Sequence, residues 1–309
     1  MSYPIEGESA HVRAVAVGEF TLAALRERVC GDVVAKFEHS LYVRFSTSAF
    51  ACIGAQSIGA GPLNVLLAER DWPRLRTVSL PQAVEASAGV LALGKHRIAL
   101  TGAARWHPRR SPVRRELLAA RLHSLTALAR RHVPRVGLSR LAFSPQAHYA
   151  DPVLQLARPG WNALESWLVH AIAGNPATPE PEVATLIGLG PGLTPSGDDI
   201  FCGVLIAAAV LGLDQARGAL WSWLLAHVDQ RTSVLSAAHL RAAAIGHGHS
   251  ALHAVLDCSA DDESALDAAL YRLGHVGHCS GWDALAGVAL VWRTLAAHEA
   301  TRRVASSAA

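Results

Sequence analysis

The chain has 309 residues, 51% of them hydrophobic and 17% charged, a balance that builds a buried core and excludes intrinsic disorder. Its formal net charge of +3 is too small for a nucleic-acid or membrane footprint spread over the molecule. Lys36 and Lys95 are the only lysines, so no lysine beyond the first third can form a Schiff base or contact phosphate. Cysteines 30, 52, 202, 258 and 279 are odd in number and widely spaced, with no C-x-x-C pair. They read as reduced thiols, not a disulfide scaffold or a structural zinc site. The opening Met1-Ser-Tyr-Pro-Ile-Glu-Gly-Glu8 has no basic n-region or long apolar stretch, which predicts a cytoplasmic protein without a secretory signal.

Residues 1–105 read as a β-rich domain. Thr21 to Val29 is the predicted helix there, with Thr21 as its cap. Val33 to Phe45 is rich in strand formers with interrupted alternation, and Ala49 to Ile53 is a second strand candidate. Ile58-Gly-Ala-Gly-Pro-Leu-Asn64 is a turn, after which Val65 to Leu67 resumes an apolar strand. Shorter candidates lie at Arg76–Leu80, Gly89–Leu93 and Arg97–Leu100.

Residues 106–135 form an arginine-rich linker and helix. From Arg105 to Arg135 nine arginines face one acid, Glu116. Pro108 and Pro112 mark the linker, and a helix is predicted over Val113–His132. The block fits either a solvated helix face or an anion-attracting rim for a partner. Trp106 is its only aromatic residue apart from histidines, which counts against nucleic acid.

Residues 136–309 read as mostly helical. A short apolar piece spans Val136–Phe143, a helix runs over Trp161–Ile172, and Asn175–Pro181 is a loop. Further helices are predicted at 183–188, 198–212, 214–229, 233–245, 249–257, 262–273 and 282–298. Asp261-Asp-Glu263 supplies first-turn acids, and Arg302–Ala309 should fray. The longest apolar run, Ile200–Leu213, is short for a membrane span and reads as a buried core helix. The fold class is therefore α+β, a β-rich N-terminal domain followed by a mostly α-helical one.

The most informative segment is Gly188-Leu-Gly-Pro-Gly-Leu-Thr-Pro-Ser-Gly-Asp-Asp199. Its glycines make a tight turn into an apolar helix whose first turn carries Asp198 and Asp199. Unpaired N–H groups at such a start, with Gly190, Gly192, Thr194, Ser196 and Gly197 around them, suit an anion. Ser196 also fits a plain N-cap, and either aspartate fits a helix start. No Walker lysine follows. The pattern Ser196-Gly197-x-Asp199-x3-Gly203 recurs as Ser280-Gly281-x-Asp283-x3-Gly287, so two helix N-termini built alike are expected to line one pocket. His278 beside the second turn is the candidate general acid/base, with Asp199 and Asp283 as its catalytic companions. Arg231, Thr232 and Ser236 open another helix and fit either an anion site or an ordinary cap. His247, His249 and His253 match no standard zinc spacing. Gly-x-Ser-x-Gly is absent around both serines, which argues against a serine hydrolase.

The octapeptide 192–199, the Thr232/Ser236 helix opening and Gly277-His-x-Ser-Gly-x-Asp283 resemble the AllH-type family, a subunit associated with bacterial oxamate carbamoyltransferase of anaerobic allantoin breakdown. The Gly61-Pro-Leu-Asn64 turn agrees more loosely. The resemblance implies carbamoyl transfer between oxalurate plus phosphate and oxamate plus carbamoyl phosphate, with partner subunits. Aspartates beside a small anion call for a proton or a hard cation, and Mg²⁺ or Mn²⁺ on Asp198 and Asp199 is the simplest choice. The rival readings are a non-catalytic metabolite-binding or assembly subunit and a metal-assisted amidohydrolase using Asp199, Asp283 and a histidine.

Overall fold

The computed structural model describes residues 10–46, 49–109, 114–144, 151–259 and 262–307. The chain divides into two compact units, Met1–His107 and Pro108–Ala309. Pro112, Val113, Asp261 and the last two residues of the tail lie outside the described residues.

In the first unit the strands are β1 (Ala10–Gly18), β2 (Val29–Lys36), β3 (Ser40–Phe45), β4 (Phe50–Ala55), β5 (Asn64–Leu67), β6 (Gln82–Ser87), β7 (Val90–Leu93), β8 (His96–Ala99) and β9 (Ala104–Trp106). Their order is β5-β4-β3-β2-β6-β7-β8-β1-β9, and β1 also pairs with β5. That pairing closes β1 to β8 into a barrel, and among the described residues β9 pairs with β1 alone. β1 does this by changing partners along its length. Ala10–Arg13 run parallel to β8, Ala14, Ala16 and Val17 pair with β5, and Ala16–Gly18 run beside β9. Leu41, Val43, Ile53, Val65, Leu67, Leu91, Leu93 and Ile98 are fully buried at its centre.

Several predicted elements shift. The Val33–Phe45 strand is a hairpin, because the Phe37 N–H bonds the Ser40 carbonyl at 2.7 Å and turns the chain. The first helix, α1 (Glu19–Ala24), starts earlier than predicted and stops sooner; Gly18 is its N-cap, and Thr21 is buried inside it. Val29 instead opens β2, where the sheet supplies partners for its backbone. Arg76–Leu80 follows the short helix α2 (Trp72–Leu75) as turns, and the strand is β6, beyond Pro81.

The second unit contains α3 (Leu118–His132), α4 (Arg140–Phe143), α5 (Pro152–Ile172), α6 (Ser196–Val210), α7 (Asp214–Leu225), α8 (Val228–Arg231), α9 (Val234–Ala243), α10 (Ser250–Asp257), α11 (Glu263–Leu273) and α12 (Ser280–Ser307). Asp151 caps α5 by accepting from the Val153 N–H at 3.0 Å, so that helix begins well before Trp161 and contains Pro159. The predicted helix at 183–188 is a 3₁₀ turn, Pro181–Leu186. The predicted 214–229 helix divides into α7 and α8. α12 runs on to Ser307, through most of the segment expected to fray.

α6 is apolar on every side and buried from Ser196 to Ala208, as a central helix must be. It crosses α12 at backbone contact. A Cβ on Gly203 would lie 1.8 Å from the Ala284 carbonyl oxygen, and one on Gly287 would lie 2.1 Å from that of Ile200. These four positions are equivalent in the two Ser-Gly-x-Asp repeats. The sequence echo is therefore a local two-fold, in which each helix offers its glycine to the other's carbonyl.

Candidate functional site

Local backbone geometry sets the entrance to α6. Gly188, Gly190 and Gly192 have φ of +73°, +118° and +99°, the left-handed region that L side chains avoid. Pro195 is the N-cap, so Ser196 is the first helical residue and not the cap. Among the described residues no acceptor meets the N–H of Gly190, Gly192 or Ser196. These donors stand at the positive end of a fifteen-residue helix.

Asp198 organises this loop from beneath. Its Oδ1 accepts from the Gly188 N–H at 2.9 Å, and its Oδ2 accepts from the Ser236 hydroxyl at 2.8 Å and from the Thr232 hydroxyl. Burial raises its pKa above the usual carboxylate range, against the pull of those three donors. Ser233 caps α9 through the Ser236 N–H at 3.0 Å and donates to the Leu193 carbonyl at 2.5 Å. Arg231 donates to the Ala184 carbonyl at 3.1 Å. Thr232, Ser236 and this nitrogen of Arg231 thus hold the loop in place by bonds within the chain.

The starts of α6 and α12 meet. Thr194 Oγ1 and Ser280 Oγ are 2.9 Å apart, and Ser196 Oγ lies 3.6 Å from Cys279 Sγ. The hydroxyls cross between repeats: Ser280 faces Asp199, and Ser196 faces Asp283. Asp283 Oδ1 accepts from the backbone N–H groups of Leu138 at 2.8 Å and Ser139 at 2.7 Å. A Cβ on Gly137 would stand 2.8 Å from both Asp283 oxygens, so only glycine fits there. Asp199 and Asp283 are 7% and 0% exposed, and Oδ2 of each is buried with no hydrogen-bond partner among the described residues. Burial, reinforced by the charge of Asp283, pushes Asp199 well above its ordinary pKa, while the Ser280 hydroxyl pulls the other way. Burial raises Asp283 as well. The Cys279 thiol is pushed up to about 12 by burial and then by Asp283, which disfavours the thiolate that a nucleophile needs.

Thr194, Ser196, Asp199, Ser280 and Asp283 therefore converge, with Gly197 and Gly281 packed against the carbonyls of Leu186 and Leu273 behind them. Gly192 and His278 are exposed at the edge. The expected Asp198–Asp199 pair divides: Asp198 belongs to the loop and α9, Asp199 to the contact with α12. Sequence reading missed Cys279 and the Gly137–Ser139 segment. The partners of Asp283 there lie 145 and 144 residues away, so no local pattern marks them. His249 caps α10 by accepting from the Ala251 N–H at 3.1 Å, and His253 Nε2 accepts from the Gly248 N–H at 3.1 Å. Among the described residues no group of three or more His, Cys, Asp or Glu side chains is placed to hold a metal ion, and no helix is long and apolar enough to cross a membrane.

No solved structure matches the chain at a significant level. Residues 186–292 match a family model described as oxamate carbamoyltransferase subunit AllH, and both Ser-Gly-x-Asp turns fall inside that span. Over the segment that builds most of this cluster, the chain is similar to the oxamate carbamoyltransferase subunit AllH family.

Proposed function

We propose that the glycine loop and the paired starts of α6 and α12 bind a small anionic metabolite for carbamoyl transfer. The substrates are a small carboxylate of the oxamate or oxalurate type together with phosphate or carbamoyl phosphate, and the chain works with partner subunits. The observation that carries this reading is the set of N–H groups of Gly190, Gly192 and Ser196 at a helix start, which meet no acceptor among the described residues. Backbone donors fixed at such a terminus stabilise an oxyanion without reorganising. The similarity to a carbamoyltransferase subunit over residues 186–292 supplies the reaction class. His278, which is exposed, is the group we assign to protonate the oxamate amide nitrogen as phosphate displaces it from the carbamoyl carbon, and to take that proton back in the reverse direction.

Titration of phosphate, oxamate and oxalurate against the wild type, Gly192→Val and Ser196→Ala tests it. Gly192→Val forces a β-branched residue to a φ of +99° and should abolish binding. Ser196→Ala removes one hydroxyl and should cost about 0.5–1.5 kcal/mol. Wild-type affinity in a Gly192→Val protein that circular dichroism shows to be folded would refute the loop as the anion site.

A further inference from the structure

We propose that Asp199 and Asp283 together hold one divalent cation, Mg²⁺ or Mn²⁺, between the starts of α6 and α12. Both carboxylates come from the same position of the two repeats, and they lie close enough for the charge of Asp283 to act on Asp199. Both are buried, and Oδ2 of each has no hydrogen-bond partner among the described residues. Among the described residues neither makes an ion pair with Lys, Arg or His. Two helix N-termini supply roughly half a positive charge each, too little to balance two carboxylates removed from water. A bound cation, taking the place of a proton, balances them.

The donor set selects a hard ion. The hydroxyls of Ser280 and Ser196 face the two carboxylates, and that of Thr194 meets Ser280, all neutral oxygens. Asp198 cannot join, because both of its oxygens already accept hydrogen bonds. Mg²⁺ is commonly held by one or two carboxylates, completing its shell with water and the oxygens of an anionic substrate. A two-carboxylate site with no third acidic or imidazole ligand is of that kind. The cation also removes a conflict in the proposed function, since an anion at the loop would otherwise meet two negative side chains. The inference rests on that reading only for the anion that completes the shell.

The test is Mn²⁺ titration of the full chain followed by electron paramagnetic resonance, with and without phosphate. One Mn²⁺ per chain is expected, displaced by excess Mg²⁺. Asp199→Asn and Asp283→Asn should each weaken it by about tenfold or more. Ser280→Ala, which leaves both carboxyl groups in place, should weaken Mn²⁺ by a smaller factor and serves if the Asn variants do not fold. No Mn²⁺ bound by the wild type under either condition, or unchanged binding in folded Asn variants, would overturn the site. Phosphate and oxamate titrations in EDTA and in Mn²⁺ separate the two proposals. Mn²⁺ binding without any anion binding overturns the proposed function and leaves the cation, and anion binding without Mn²⁺ does the reverse.

Discussion

At the scale of single residues, neighbouring side chains of like chemistry have different duties. Asp198 and Asp199 are adjacent, yet one ties a loop to α9 and the other faces Asp283. Asp198→Ala would leave the Gly188 N–H and the Thr232 and Ser236 hydroxyls without their acceptor in a buried place. We expect a loss of about 2–4 kcal/mol, because buried donors cannot be rehydrated, read from the urea midpoint at constant slope. A loss under 1 kcal/mol would show that water replaces the carboxylate. His253 gives a prediction in pH. Burial lowers its pKa from 6.5 to about 4, with the charges of His247 and His249 adding to the effect, and its Nε2 must stay unprotonated to accept the Gly248 N–H. A pKa depressed in the fold gives stability that is fully present above the unfolded value of 6.5 and lost as pH falls toward 4. The wild type should lose up to about 3 kcal/mol across that window relative to His253→Gln. Parallel pH profiles of the two proteins would rule this out.

At the scale of elements, the crossing of α6 and α12 depends on two positions having no side chain. Gly203→Ala and Gly287→Ala would each drive a methyl into a backbone carbonyl of the other helix. Neither carbonyl can move without breaking its own helix, so each substitution should cost about 3 kcal/mol or more. Gly218 on α7 is the contrast, exposed and with nothing within 4 Å of a Cβ. Gly218→Ala should stabilise by about 0.5–1 kcal/mol. Thermal melts of the three variants check the sign at each position, and a stabilised Gly203→Ala would contradict the crossing. Gly203 and Gly287 also mark how far the sequence could be read. The repeat was visible because it lies in short local patterns, and so was α6, whose apolar run exceeds any strand. Pro159 hid the first half of α5, since a proline normally stops a helix and only the whole fold shows this one continuing. β1 has alanine, a weak strand former, at three of its nine positions, and β9 has three residues, too few to carry a period.

At the scale of the whole molecule, the two units have separate cores. One is lined by Leu41, Val43, Ile53, Leu67, Leu91 and Ile98, the other by Ile200, Phe201, Leu205, Leu285, Leu290 and Val291. Every contact that defines the candidate site arises from the second unit, from Gly137 beside Asp283 to the hydroxyl pair of Thr194 and Ser280. A segment of this size buries enough surface to fold alone. Residues 108–309 expressed without the barrel should therefore melt cooperatively and show the helical circular dichroism of the second unit. They should also bind phosphate, oxamate and Mn²⁺ within about threefold of the full chain, a difference below 1 kcal/mol. The complementary fragment 1–107 should bind none of them. A cooperative 108–309 fragment whose affinity falls more than tenfold would mean that the barrel contributes to the site. Loss of cooperative melting in that fragment would instead mean that the second core is incomplete without the first.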